Sequence, residues 1–205
     1  MYFIAENGSY IAKGTTELHC DVILNQKVQE MIHILSQYQR IFMILCGKQG
    51  AYILKDEFAY RNEVKKYYCA YSFVNSFDDV HDEIMKIAIY DKQHHIQDLL
   101  DEISQQLPIG VKIVTSGNEW MDIQHETINK GFGIHFLMNT LHLTKEECAV
   151  FGDQMNDYEL FQNVHYSYAM KNAIQPLKEI AFQVIDSNDE AGVTGKIKEI
   201  LKGEL

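Results

Sequence analysis

Cys148-Ala149-Val150-Phe151-Gly152-Asp153-Gln154-Met155-Asn156-Asp157 is the run from which this chain is best read: an apolar, strand-like segment that ends in a glycine, two carboxylates and an amide. In open α/β sheets ligands gather beyond the carboxyl ends of the strands, so a carboxylate launched from a strand end is placed to hold a cation beside a phosphate. Asp153 falls one residue past the expected strand. Asp157 comes four residues later, one turn away if a helix starts near Gln154, so both carboxylates are able to face one cation or its water shell. The same residues also make a turn and a helix cap, the commonest use of Gly, Asn and Asp, and the pattern alone leaves both uses open.

Working outward, Lys130 precedes Gly131 and an apolar helical stretch. An ammonium there, with the backbone N–H groups of a helix N-terminus, suits a phosphate, although a solvated surface lysine has the same pattern. Asn172-Ala173 follows the apolar run Tyr166 to Met170 and precedes Pro176 at a helix start, so its amide either reaches a bound phosphate or caps that helix.

Helical spacing recurs in Val28, Met31, Ile32 and Leu35, in Ile96, Leu99, Leu100, Ile103 and Leu107, and in Ile134, Leu137 and Leu141. Strands are expected at Tyr2 to Ala5, Ile41 to Leu45, Ala51 to Leu54, Ile84 to Tyr90, Val111 to Thr115, Glu119 to Ile123, Ala149 to Phe151 and Gln183 to Ile185. The alternation makes the fold class α/β. Every phosphate-type motif follows Gly117, whereas Cys20 to Gly117 has helix-strand-strand character without acidic loops. That asymmetry predicts a chemistry-bearing core interrupted by an inserted lid.

With 205 residues and 46% hydrophobic composition the chain can bury one ordinary domain or two small ones. A formal charge of −11 with no dense Lys/Arg run argues against nucleic acid as a partner. The four cysteines have neither CxxC pairs nor regular spacing, which predicts reduced thiols in a cytoplasmic protein rather than zinc or disulfides. The stretch Met1 to Lys13 lacks a basic leader, and no apolar run approaches a membrane span. His94 and His95 are adjacent, and neighbours on a helix point apart, so they do not read as a metal pair.

The order Lys130-Gly131, Gly152-Asp153-x-x-Asn156-Asp157, Ala169-Met170-x-Asn172-Ala173 and Glu190-Ala191-Gly192-Val193 resembles the C-terminal half of haloacid dehalogenase-like phosphatases of the Cof type. Cys46-Gly47-Lys48-Gln49-Gly50-Ala51-Tyr52, Val114-Thr115-Ser116-Gly117 and Tyr166-Ser167-Tyr168-Ala169-Met170 are similar to the sugar-phosphate phosphatases of that group, so the resemblance covers essentially the whole chain. It implies a magnesium-dependent phosphatase working on small phosphorylated sugars through an aspartyl-phosphate, with a Rossmann-like core and a mobile α/β cap that selects the substrate. The implied core is 1–19 with 118–205, and the implied cap is 20–117, its hairpin near Cys46 to Tyr52 facing the substrate. In that frame Asp153 is the Mg2+ ligand, Asp157 orients the site and its waters, and Lys130 neutralises phosphate and nucleophile. Asn156 and Asn172 help seat the phosphoryl group or nearby loops, and Asn7, with Gly8 on the loop entering the cap, borders the pocket.

One element of the family pattern is missing. Members open on a strand ending in Asp-x-Asp-Gly-Thr, which supplies the nucleophile and the general acid/base, and no Asp-x-Asp occurs anywhere in these 205 residues. Asp153 cannot be both metal ligand and attacking group. The expectation is therefore an N-terminally incomplete core, a truncated polypeptide with weakened magnesium affinity and little activity, and sheet edges whose exposure favours self-association. The alternative expectation is a non-catalytic module that binds a sugar phosphate or a partner chain.

Overall fold

A computed structural model describes residues 1–203. They form two compact units that divide at Ile128 and Asn129.

The first unit opens on an antiparallel meander of β1 (Tyr2–Ala5), β2 (Tyr10–Lys13) and β3 (Thr16–Cys20). It continues through α1 (Asn25–Leu35), β4 (Ile41–Gly47), β5 (Ala51–Leu54), α2 (Arg61–Tyr67), β6 (Tyr71–Val74), β7 (Ile84–Asp91), α3 (Gln97–Ser104), β8 (Val111–Ser116) and β9 (Trp120–His125). Six of these strands make one sheet in the order β6-β5-β4-β7-β9-β8, antiparallel except for β5 and β6. Central strand β4 is buried at all seven positions, and so reads as an unbroken apolar run rather than an alternating one. Its residues still sort by period two. Ile41, Met43 and Leu45 pack with Val28, Met31 and Leu35 of α1 and with Leu99 and Ile103 of α3. Phe42, Ile44 and Cys46 pack instead with Val64 of α2, Ala88 and Tyr90.

The second unit runs through α4 (Lys130–Leu141), β10 (Ala149–Gly152), α5 (Tyr158–Gln162), β11 (Tyr166–Met170), α6 (Gln175–Ile180), β12 (Gln183–Ile185) and α7 (Gly192–Leu201). Its three strands are parallel in the order β10-β11-β12, so among the described residues β10 is a margin of the sheet. Met138, Val150, Phe161, Ala169, Met170 and Leu177 form the centre of its core. Helices α4 and α5 meet closely at Gly131, where an added Cβ would lie 2.7 Å from the backbone oxygen of Glu159. Gly131→Ala is accordingly expected to cost about 1–3 kcal/mol, since backbone cannot give way as a side-chain tip can. A urea midpoint equal to that of the unmodified chain would contradict this contact.

The expected elements are present with small changes of extent; α3, for example, stops at Ser104 although the apolar stripe continues to Leu107. Strands β2, β3, β6 and β11 were not anticipated. Thr16–Cys20 is polar and largely open to solvent, and Tyr71–Val74 is a four-residue margin strand, so neither carries a buried alternation to read. The boundary expected at 117/118 also differs from the division observed. Trp120–His125 hydrogen-bonds to both β7 and β8, which keeps it with the six-stranded sheet, and the meander of residues 2–20 falls in the same unit.

Candidate functional site

Parallel strands bring their carboxyl ends out on one side. Gly152 pairs with Ala169, and Met170 with Ile185, so the loops 153–157, 171–174 and 186–191 leave the second unit's sheet together. Two hydrogen bonds to Asp153 and one to Asn172 lace them. The Ile174 N–H donates to the Asp153 carbonyl at 3.0 Å. Asn188 donates its backbone N–H to Asn172 Oδ1 at 3.1 Å and its side-chain Nδ2 to Asp153 Oδ2 at 3.1 Å.

Asp157 is the buried hub of the first loop, only 4% exposed. Its Oδ1 accepts from Lys130 Nζ at 2.5 Å, and its Oδ2 accepts from the N–H groups of Asp153 at 3.0 Å and Gln154 at 3.2 Å. The glycine before Asp153 makes this approach possible, because a Cβ on Gly152 would lie 2.6 Å from Asp157 Cβ. Met155–Asp157 is a 3-10 turn that leads into α5, not the first turn of an α-helix begun at Gln154. This changes the reading of the pair of carboxylates. Asp157 curls back to satisfy its own loop and Lys130, with both oxygens engaged. The turn-and-cap use of these residues is thus real for Asp157, while Asp153 Oδ2 accepts from Asn188 instead.

Asp153 is half-buried, and among the described residues its Oδ1 makes no hydrogen bond. Asn156 lies in the same loop with its amide oxygen buried and, among the described residues, without a hydrogen-bond partner. Lys130 opens α4, whose N-cap Asn129 accepts from the Phe132 N–H at 2.7 Å. Asn7 belongs to the first unit. It holds a left-handed φ of 55°, and its amide donates to Asp122 Oδ2 at 3.0 Å and to Gln124 Oε1 at 2.9 Å. Asn188 is the residue that sequence reading missed, although Ser187-Asn188-Asp189 just before Gly192 is turn chemistry that could have drawn notice. Its loop is well tied, for Ser187 Oγ and N–H both donate to Glu190 and hold that carboxyl below its ordinary range.

Among the described residues no three His, Cys, Asp or Glu side chains gather into a metal-holding group. Magnesium rarely needs one, since it takes one or two carboxylates and fills the remaining positions with water and substrate phosphate. Asp153, with an oxygen free, and Asn156, with an orphaned amide oxygen, fit that kind of site and not an all-protein cage.

A parallel sheet with a lysine-anchored carboxylate loop at its strand ends defines the class: an α/β protein whose loops gather at the strand ends, where ligands bind in sheets of this kind. The chain belongs to the haloacid dehalogenase-like hydrolase family, whose model matches residues 1–197. It is 26% identical over 203 residues to the 5-amino-6-(5-phospho-D-ribitylamino)uracil phosphatase YbjI of Escherichia coli K12, a match spanning 98% of this chain and 75% of that protein. Among solved structures it is similar to SMU.1108c from Streptococcus mutans UA159, with TM-score 0.88, 24% identity and coverage of 98% of this chain and 77% of the other. The subclass IIB sugar phosphatase BT4131 superposes with TM-score 0.83 at 19% identity, over 100% of this chain and 76% of that one. No helix among the described residues is long and apolar enough to cross a membrane.

Proposed function

We propose that the loops after β10, β11 and β12 are the phosphate- and magnesium-facing part of a phosphatase site for small phosphorylated sugars, acting through the family's aspartyl-phosphate route. The observation that carries this reading is the division of labour at one strand end. Lys130 Nζ is fixed 2.5 Å from buried Asp157, while Asp153 in the same loop keeps a carboxylate oxygen free. Lys130 places positive charge where a phosphoryl group would sit, Asp157 fixes that lysine and the loop, and Asn172 holds the neighbouring loop. Asp153 and Asn156 would hold magnesium, which when bound supplies charge neutralisation for the phosphate. The substrate class is supported by the relative's phosphorylated ribityl substrate and by the fold shared with a sugar phosphatase. An α/β cap built on the six-stranded sheet of residues 41–125, with Asn7 at its entrance and the Cys46–Tyr52 hairpin selecting substrate, belongs to the same proposal. So do self-association and a cytoplasmic location, the latter in keeping with four unpaired cysteines.

Because the 205 residues contain no Asp-x-Asp pair, the polypeptide by itself is expected to hydrolyse phosphate esters at or near the uncatalysed background. Magnesium-dependent release of p-nitrophenol from its phosphate by purified chain, abolished in Asp153→Ala, would show that expectation to be wrong. The site is tested separately by calorimetry with a panel of sugar phosphates and Mg2+, where binding is expected and is lost in Lys130→Ala. Failure to bind any member sinks the site assignment. The missing Asp-x-Asp also favours a second reading, a non-catalytic sugar-phosphate-binding module, and magnesium-independent binding without turnover would select it.

A further inference from the structure

Asn188 ties its own strand-end loop to each of the other two. Its backbone N–H is taken by Asn172 Oδ1 and its side-chain Nδ2 by Asp153 Oδ2, both at 3.1 Å. Since a carboxylate only accepts, the amide must present its nitrogen to Asp153, and this fixes which way Asp153 turns its other oxygen. The loop carrying Asn188 is itself braced. Gly192 N donates to Ser187 O at 3.1 Å, Ala191 N to Asn188 O at 3.3 Å, and Ala191 sits in the left-handed region at φ 57°. A Cβ at Gly192 would strike the backbone oxygen of Asp186, so the loop closes back on itself at a distance only glycine allows.

We infer that Asn188 is a positioning residue for the cation site: it holds one oxygen of Asp153 so that the other is presented outward, and Asn172 acts through Asn188, not on the ligand. This rests on the reading of Asp153 as the magnesium-holding carboxylate. Partners of this kind behind a metal ligand are typically worth roughly 10- to 100-fold in metal affinity.

The test uses the full chain and Mn2+ alone, with free metal counted by electron paramagnetic resonance. Asn188→Ala is expected to weaken Mn2+ binding by at least about 10-fold. Asn172→Ala should weaken it in the same direction, and the double variant should be no weaker than Asn188→Ala alone, because the two act in series. Independent, additive losses overturn the serial arrangement, and unchanged Mn2+ affinity in Asn188→Ala overturns the positioning role. If the unmodified chain takes up no Mn2+, or if Asp153→Ala binds it equally well, the cation-site reading fails and this inference falls with it. A metal-free readout addresses the geometry itself: the Asn188 side-chain NH2 resonances should move in Asp153→Ala, and the Asn188 backbone amide should lose exchange protection in Asn172→Ala. Resonances and protection that stay put overturn the inference whatever the metal does.

Discussion

Asp157→Ala is expected to destabilise the second unit by about 3 kcal/mol, the low end for breaking a buried ion pair by removing one partner. The low end applies because Lys130 keeps 32% of its side chain exposed and can recover hydration, whereas Asp157 shows only 6% of its own. The rest of the cost comes from the N–H groups of Asp153 and Gln154, which lose their acceptor together. Lys130→Met should cost a comparable amount, about 3 kcal/mol, since it leaves the buried Asp157 carboxylate without its countercharge even though that carboxylate still accepts two backbone hydrogen bonds. The two changes should combine to less than their sum. The single tryptophan, Trp120, lies in the first unit, so its fluorescence is the wrong probe; amide exchange of β10 and β11 in urea reports on the correct one. An Asp157→Ala chain as stable as the unmodified one would mean that the loop does not depend on its buried hub, and the separation of roles between Asp153 and Asp157 would fail with it.

The contrast between these two carboxylates illustrates what a sequence discloses. Strand β10 could be read because four apolar residues run into Gly152-Asp153, and the identity of Asp153 as a strand-end carboxylate follows from position alone. The partners of Asp157 could not, because they include Lys130, 27 residues away, and depend on the 3-10 turn of Met155–Asp157, which no local pattern marks. Asn188 was hidden for a similar reason. It lies 35 residues from Asp153, and only the parallel register of β10, β11 and β12 brings it there. Apolar periodicity reports which face of an element is buried, so α1, β4 and β7 were legible. Strands such as β3 and β6, which have little to bury, carried no such signal. Asn7 is a further case. Its neighbourhood of Asp122 and Gln124 arises across more than 100 residues, and no local pattern points to it.

The first unit should lose about 2 kcal/mol of stability as pH falls from 5 to 2, through one carboxylate. Asp91 ends β7 with its side chain wholly buried beside Arg40. Its oxygens accept from Arg40 Nε at 2.9 Å and from Arg40 Nη2, and from the N–H groups of Gln93 at 3.1 Å and His95 at 2.9 Å. Burial pushes the Asp91 carboxyl up, but the Arg40 guanidinium and the two backbone donors outweigh it and bring the pKa down to about 2. An unfolded aspartate titrates near 3.9, so the folded state gains stability above that value and forfeits it as protons return to Asp91 on the way down to about 2. Asp91→Asn should remove this acid-dependent component and lower stability at neutral pH, since Arg40 would lose its buried countercharge. Here Trp120 is the right probe, because it pairs with Tyr90 in the neighbouring strand register of the same sheet. Urea midpoints followed by its fluorescence should converge for the unmodified chain and Asp91→Asn as pH drops below 4. Two curves that stay parallel down to pH 2 would show that the Arg40–Asp91 pair does not carry the linkage.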